Sequence, residues 1–168
     1  DAVDFGENIP HRGGGGLSDD TRGIFPSING GTNVIRYITM ATTGTVEDFG
    51  DAYVAAASGG SFASPIRGVM GGGDSPAYTN VIQYLTISTL GNTADFGDLS
   101  TLRGYVSGAS SATRGLFAGG VNPSPSPARV NTIEFVTIAT LGNTTDFGDL
   151  TETSRAIGAV SDCKRAVF

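Results

Sequence analysis

The chain has 168 residues and a formal net charge of −6, which argues against general attraction to a nucleic-acid phosphate backbone. Glycine supplies 26 residues, tryptophan none, and only 15% of the chain is charged; Gly costs about 1 kcal/mol per helical position and the abundant Val, Ile and Thr are stiff there, so helices are disfavoured. No run of about 18 apolar residues occurs, which excludes a membrane-spanning helix, and the expected class is all-β with many tight turns.

In chain order, the sequence opens on Asp1 without a signal peptide, which suggests a processed N-terminus or a stretch of a longer polypeptide. The first marker is "AVDFGEN" at 2–8, followed by "TRGIF" at 21–25, "NVIRYIT" at 33–39 and "GTVEDFGDA" at 44–52. The same order returns as "IRGVM" at 66–70, "NVIQYLT" at 80–86 and "GNTADFGDLS" at 91–100. It returns again as "TRGLF" at 113–117, "NTIEFVTIAT" at 131–140 and "GNTTDFGDL" at 142–150, and "KRAVF" at 164–168 begins a further round. The DFG phenylalanines fall at Phe5, Phe49, Phe96 and Phe147, spaced 44, 47 and 51; the arginines Arg22, Arg67, Arg114 and Arg165 are spaced 45, 47 and 51. Markers that keep one order and one period define a repeat.

Each unit divides into four strand candidates, which in the third are 103–110, 114–120, 131–140 and 143–150. "LGN" at 141–143 suggests a tight hairpin turn, where Gly and Asn tolerate positive φ. Ile133, Phe135, Val136 and Ile138 cover both faces of their strand, as suits a strand buried between neighbouring sheets. Four strands per period of this length predict a β-propeller, with end strands of a preceding blade and the start of the next at 1–20, units at 21–65, 66–112 and 113–163, and a further unit starting at 164–168. A solenoid is the structural alternative.

The motif order Arg-Gly-apolar-apolar-Gly-Gly, loop, apolar strand, aromatic strand, then Arg resembles the kelch repeat. "TRGLFAGG" stands at its double glycine, "DFGDL" takes the place of Trp-x-x-Leu, and Arg103 and Arg155 match the arginine that follows, where the first unit has Ala56. More narrowly, residues 4–168 resemble repeats in virion proteins of tailed phages that infect marine cyanobacteria. That resemblance implies a tail fibre or other external virion appendage, extracellular when assembled. Its partners would be other virion subunits or copies of itself, with adhesion to a host-surface glycan or protein as a further role. The alternative is a soluble cellular kelch-type module that gathers protein partners.

The DFGD motif has two readings. In the structural one each phenylalanine is a wedge between blades, the glycine permits a bulge, and Asp95 and Asp146 accept backbone hydrogen bonds or pair with the recurrent arginines. In the other, Asp95, Asp98, Asp146 and Asp149 hold calcium, although no EF-hand spacing is present. The periodicity favours the scaffold, so no metal and no cofactor are expected.

Enzyme chemistry finds little to use. His11 is the sole histidine and Cys163 the sole cysteine, too few for a catalytic triad with a nearby nucleophile or for a zinc site, and Cys163 has no partner for an internal disulfide. The glycine runs at 13–16 and 71–73 lack the Gly-Lys-Ser/Thr of a phosphate loop. Binding residues are sought instead in the variable loops 71–80 and 122–129, with Asp74, Tyr78, Asn122 and Arg129 as candidates. Three units and some end strands do not close a ring, so the chain is expected to be a section of a longer protein or to share blades between copies.

Overall fold

The computed structural model describes Gly6 and residues 15–26, 32–124 and 128–168. Phe5 and His11 lie outside the described residues, which contain strands, turns and loops and no helix. The first sheet orders β1 (Leu17–Ser18), β2 (Arg22–Phe25), β3 (Val34–Thr39) and β4 (Glu47–Asp51) as an antiparallel meander. The second repeats it with β5 (Gly60–Ala63), β6 (Arg67–Gly73), β7 (Thr79–Thr86) and β8 (Ala94–Asp98). The third uses β9 (Ser107–Ser110), β10 (Arg114–Ala118), β12 (Ala128–Thr137) and β13 (Thr145–Ser154), with short β11 (Val121–Asn122) paired to β12. A two-stranded sheet of β14 (Val160–Ser161) and β15 (Ala166–Val167) follows.

The turn from first to second strand is built the same way each time. A short polar side chain three residues before the recurrent arginine accepts that arginine's backbone N–H: Asp19 at 2.7 Å, Ser64 at 3.1 Å, Ser111 at 3.1 Å and Asp162 at 2.6 Å. Such side chains close turns by capping the backbone locally. N–H donation from Arg165 and then Lys164 holds the Asp162 carboxyl below its ordinary range.

The core lies between consecutive sheets. Ile24, Ile35 and Phe49 of the first sheet pack with Met70, Leu85 and Ile87 of the second. At the same register positions one sheet later, Val69, Ile82 and Phe96 pack with Phe117, Val136 and Ile138. The third strand of the second sheet, β7, therefore buries both faces, Leu85 toward the first sheet and Ile82 toward the third. At about 25 cal/mol per Å², burial of each phenylalanine contributes a few kcal/mol before entropy.

Two expected elements differ. Residues 103–106 were expected within a strand but form a connection, because Tyr105 adopts φ 57° and its N–H turns to the Ser58 carbonyl at 2.7 Å. The Ala156 N–H likewise meets the Tyr105 carbonyl at 3.0 Å, and Ser58, Tyr105 and Ala156 all have positive φ at one repeat position. Left-handed backbone is costly for residues with a Cβ, so Ala156→Gly, at an exposed position with φ 50°, is expected to raise stability by about 1 kcal/mol in urea unfolding. The second difference is the loop around "LGN": β12 ends at Thr137 and β13 starts at Thr145, too wide for a tight hairpin turn.

Candidate functional site

The wide loop has a purpose in packing. Each DFGD strand carries a bulge at its phenylalanine: Ile35 pairs Gly50 and Arg36 pairs Asp48, so Phe49 is the extra residue, and the same shift occurs at Phe96 and Phe147. A bulge re-aims a side chain and interrupts the ladder. In the first two sheets the bulged backbone is then gripped by the Gly-Asn-Thr loop of the following sheet.

Two grips match atom for atom. The Gly91 N–H donates to the Phe49 carbonyl at 2.9 Å, and the Gly142 N–H to the Phe96 carbonyl at 2.8 Å. Asn92 Oδ1 accepts the Asp51 N–H at 2.9 Å, and Asn143 Oδ1 the Asp98 N–H at 3.0 Å. The Thr93 and Thr144 N–H groups donate to the Asp51 and Asp98 carbonyls, both at 2.9 Å. The chains approach so closely that a Cβ on Gly50 would stand 2.5 Å from the Gly91 carbonyl carbon, and one on Gly97 would stand 2.5 Å from that of Gly142. Gly50 and Gly97 also have φ of 146° and 150°. A Cβ on Gly6 would likewise strike the Gly44 carbonyl.

The recurrent arginines complete the clamp. Arg22 lies 5.2 Å from the Tyr37 ring centre and donates to the Ile87 carbonyl of the next sheet at 2.7 Å. Arg67 lies 4.8 Å from the Tyr84 ring and donates to the Ile138 carbonyl at 2.7 Å. Arg114 lies 4.5 Å from the Phe135 ring, and Arg165 is exposed on the turn before β15. None of these arginines pairs with Asp95 or Asp146; the one ion pair among the described residues joins Arg103 and Glu134. Asp95 is exposed, Asp98 half-buried and Asp149 exposed, while Asp146 accepts the Gly148 N–H at 3.3 Å. Among the described residues no three His, Cys, Asp or Glu side chains converge as a metal-holding group.

Phe49 and Phe96 are each 2% exposed, whereas Phe147 is 52% exposed. Arg103 and Arg155 also part company. The Arg103 carbonyl accepts the Gly73 N–H and the Ser154 carbonyl accepts that of Gly120, both at 2.8 Å, so Ser154 is the true counterpart of Arg103. Arg103 is buried against Glu134, while Arg155 is exposed and stacks 5.4 Å from the Tyr105 ring.

The variable loops meet around residues 103–105. Gly104 forms a bridge to Val121, and a Cβ on it would stand 2.7 Å from the Asp74 Cβ and 3.1 Å from the Tyr78 ring. A hydrogen bond to Asp74, then the charge of Asp74, raises the Tyr105 hydroxyl above its ordinary range. Asp74, Tyr78, Tyr105 and Arg155 thus share one neighbourhood. Asn122 and Arg129 sit on the adjoining hairpin, where Val121 pairs Arg129 and Asn122 turns its side chain onto the Ser124 N–H at 3.0 Å. Asn92, Asn143, Thr93, Thr144 and Tyr105 are absent from the sequence-based candidates. The Gly-Asn-Thr triplet was legible as a marker, since it precedes DFGD in two units.

No helix among the described residues is long and apolar enough to cross a membrane. No protein-family model matches the chain, and a search of curated proteins returns no match.

Proposed function

We propose that this chain is a non-enzymatic structural module, part of a β-propeller of kelch-like blades, and that it serves in a tail fibre or other external appendage of a phage virion. The observation that carries the structural part is the clamp. The same three backbone-directed hydrogen bonds and the same arginine-to-carbonyl contact join the first sheet to the second and the second to the third. The side chains of Arg22, Arg67, Asn92 and Asn143 are thereby spent on holding sheets together. Support for the virion part is the resemblance of the repeat sequence to such proteins. Adhesion to a host-surface glycan or protein belongs to the loop neighbourhood of Asp74, Tyr78 and Arg155, where aromatic and charged groups are grouped at loops supported by sheets.

The test is peptide mass spectrometry of purified phage particles together with gold-labelled antibody against this chain in electron micrographs. Peptides in the particle and label on its appendages are the expected result. Peptides confined to infected-cell lysate would overturn the virion reading and favour the soluble interaction module.

A further inference from the structure

The outer face of the third sheet repeats, position for position, the faces that the first two sheets bury. Ile24, Ile35 and Phe49 are buried beneath the second sheet, and Val69, Ile82 and Phe96 beneath the third. Their counterparts Leu116, Ile133 and Phe147 are half-buried, half-buried and 52% exposed. They line a groove of about 620 Å³ together with Arg114, Val167 and Phe168.

The polar half of the clamp is also displayed. A Cβ on Gly148 would meet nothing within 4 Å, whereas Gly50 and Gly97 are pressed against a glycine backbone. Among the described residues Arg114 has its ring contact with Phe135 but no carbonyl corresponding to those of Ile87 and Ile138. Part of the next sheet is already seated. The Ser161 hydroxyl donates to the Ser110 carbonyl at 2.6 Å, as Ser110 does to Ala63 at 2.7 Å, so β14 and β15 take the places of a first and a second strand.

We infer that this groove receives the third strand and Gly-Asn-Thr loop of a further unit of the same repeat. That segment pairs along the free edge of β15 and lays its two apolar side chains on Ile133 and Phe147. Its backbone carbonyl accepts from Arg114, and its Asn closes on the Asp149 N–H. The occupant is specified because the two internal clamps show which atoms complete each half, and the inference holds whether or not the chain belongs to a virion.

A fluorescein-labelled peptide with the sequence of residues 128–144 is titrated into the protein and followed by anisotropy. Saturable binding is expected, weakened about tenfold by Asn143→Ala in the peptide, which removes a clamp hydrogen bond and leaves its partner unpaired. Phe147→Ser in the protein weakens it at least as much, with circular dichroism checking that the fold persists. In a second arm a copy of residues 118–150 is fused after Phe168. Tm is expected to rise by about 5 °C, and Ala in place of the appended Asn removes most of that gain. Absence of both binding and a Tm gain overturns the inference, as does binding indifferent to both substitutions. A homodimer that Phe147→Ser dissolves and the peptide does not displace also overturns it, in favour of docking between whole copies.

Discussion

Gly97→Ala is expected to lower the unfolding free energy by about 4 kcal/mol, and Gly148→Ala by only about 1 kcal/mol. Both glycines occupy one repeat position with similar backbone, φ 150° and 138°, so the strain of adding a Cβ is shared. The difference lies across the gap. At Gly97 the new Cβ would stand 2.5 Å from the Gly142 carbonyl carbon and 2.9 Å from the Asn143 nitrogen, both backbone atoms that cannot swing aside; at Gly148 it meets nothing. Forcing the sheets apart weakens the bonds from Gly142, Asn143 and Thr144, each worth about 1 kcal/mol net. It also loosens the packing of Phe96 against Val136 and Ile138. Urea unfolding of both variants measures the gap, and equal losses would show that the close approach contributes nothing.

The second large effect concerns the pair Arg103 and Glu134, which are 1% and 2% exposed. Burial pushes the Arg103 guanidinium below its ordinary range, while the Glu134 charge and the hydrogen bond between them pull it back. Arg103 Nη1 also donates to the Gly119 and Thr132 carbonyls at 3.2 and 3.3 Å, and Glu134 Oε1 accepts the Ser100 N–H at 3.2 Å. Arg103→Met leaves the carboxylate buried without its counter-charge and is expected to cost about 3–5 kcal/mol. The double variant Arg103→Met with Glu134→Leu recovers most of that loss, since two desolvated charges are removed together. Part of the guanidinium's desolvation has no return, because its Nε has no hydrogen-bond partner among the described residues. A double-mutant cycle by denaturant unfolding gives the coupling, and additive losses would mean that the two charges do not depend on one another.

This pair marks where local reading stops. In the second unit the position of Glu134 is Gln83, whose amide donates to the Val54 carbonyl at 2.8 Å and accepts from Thr93 Oγ1 at 2.7 Å. In the first it is Arg36. The site beside the bulge is polar each time, but the partner is supplied from elsewhere in the fold. The match to the kelch pattern set Arg155 as the equivalent of Arg103; the backbone hydrogen bonds assign Ser154 instead, one residue earlier, where the repeat spacing of 51 also falls.

Spacing of DFG, of Arg-Gly and of Asn-x-Ile determined from the sequence alone that the chain is a repeat, and its Gly, Thr, Val and Ile content determined that it is all-β. The bulge at the DFG phenylalanines was also legible, because a glycine directly after an aromatic in a strand signals a departure from the ladder. The tertiary structure decided what those glycines touch. "LGN" looks locally like a hairpin turn, yet its asparagine accepts from a strand of the preceding sheet, as Asn92 does in the second unit, at separations of 45 and 41 residues in the chain. It also decided that Phe49 and Phe96 are buried while Phe147 is exposed. Identical local sequence imposes the same bulge at all three positions, but burial depends on what packs above, and that is a property of the neighbouring sheet.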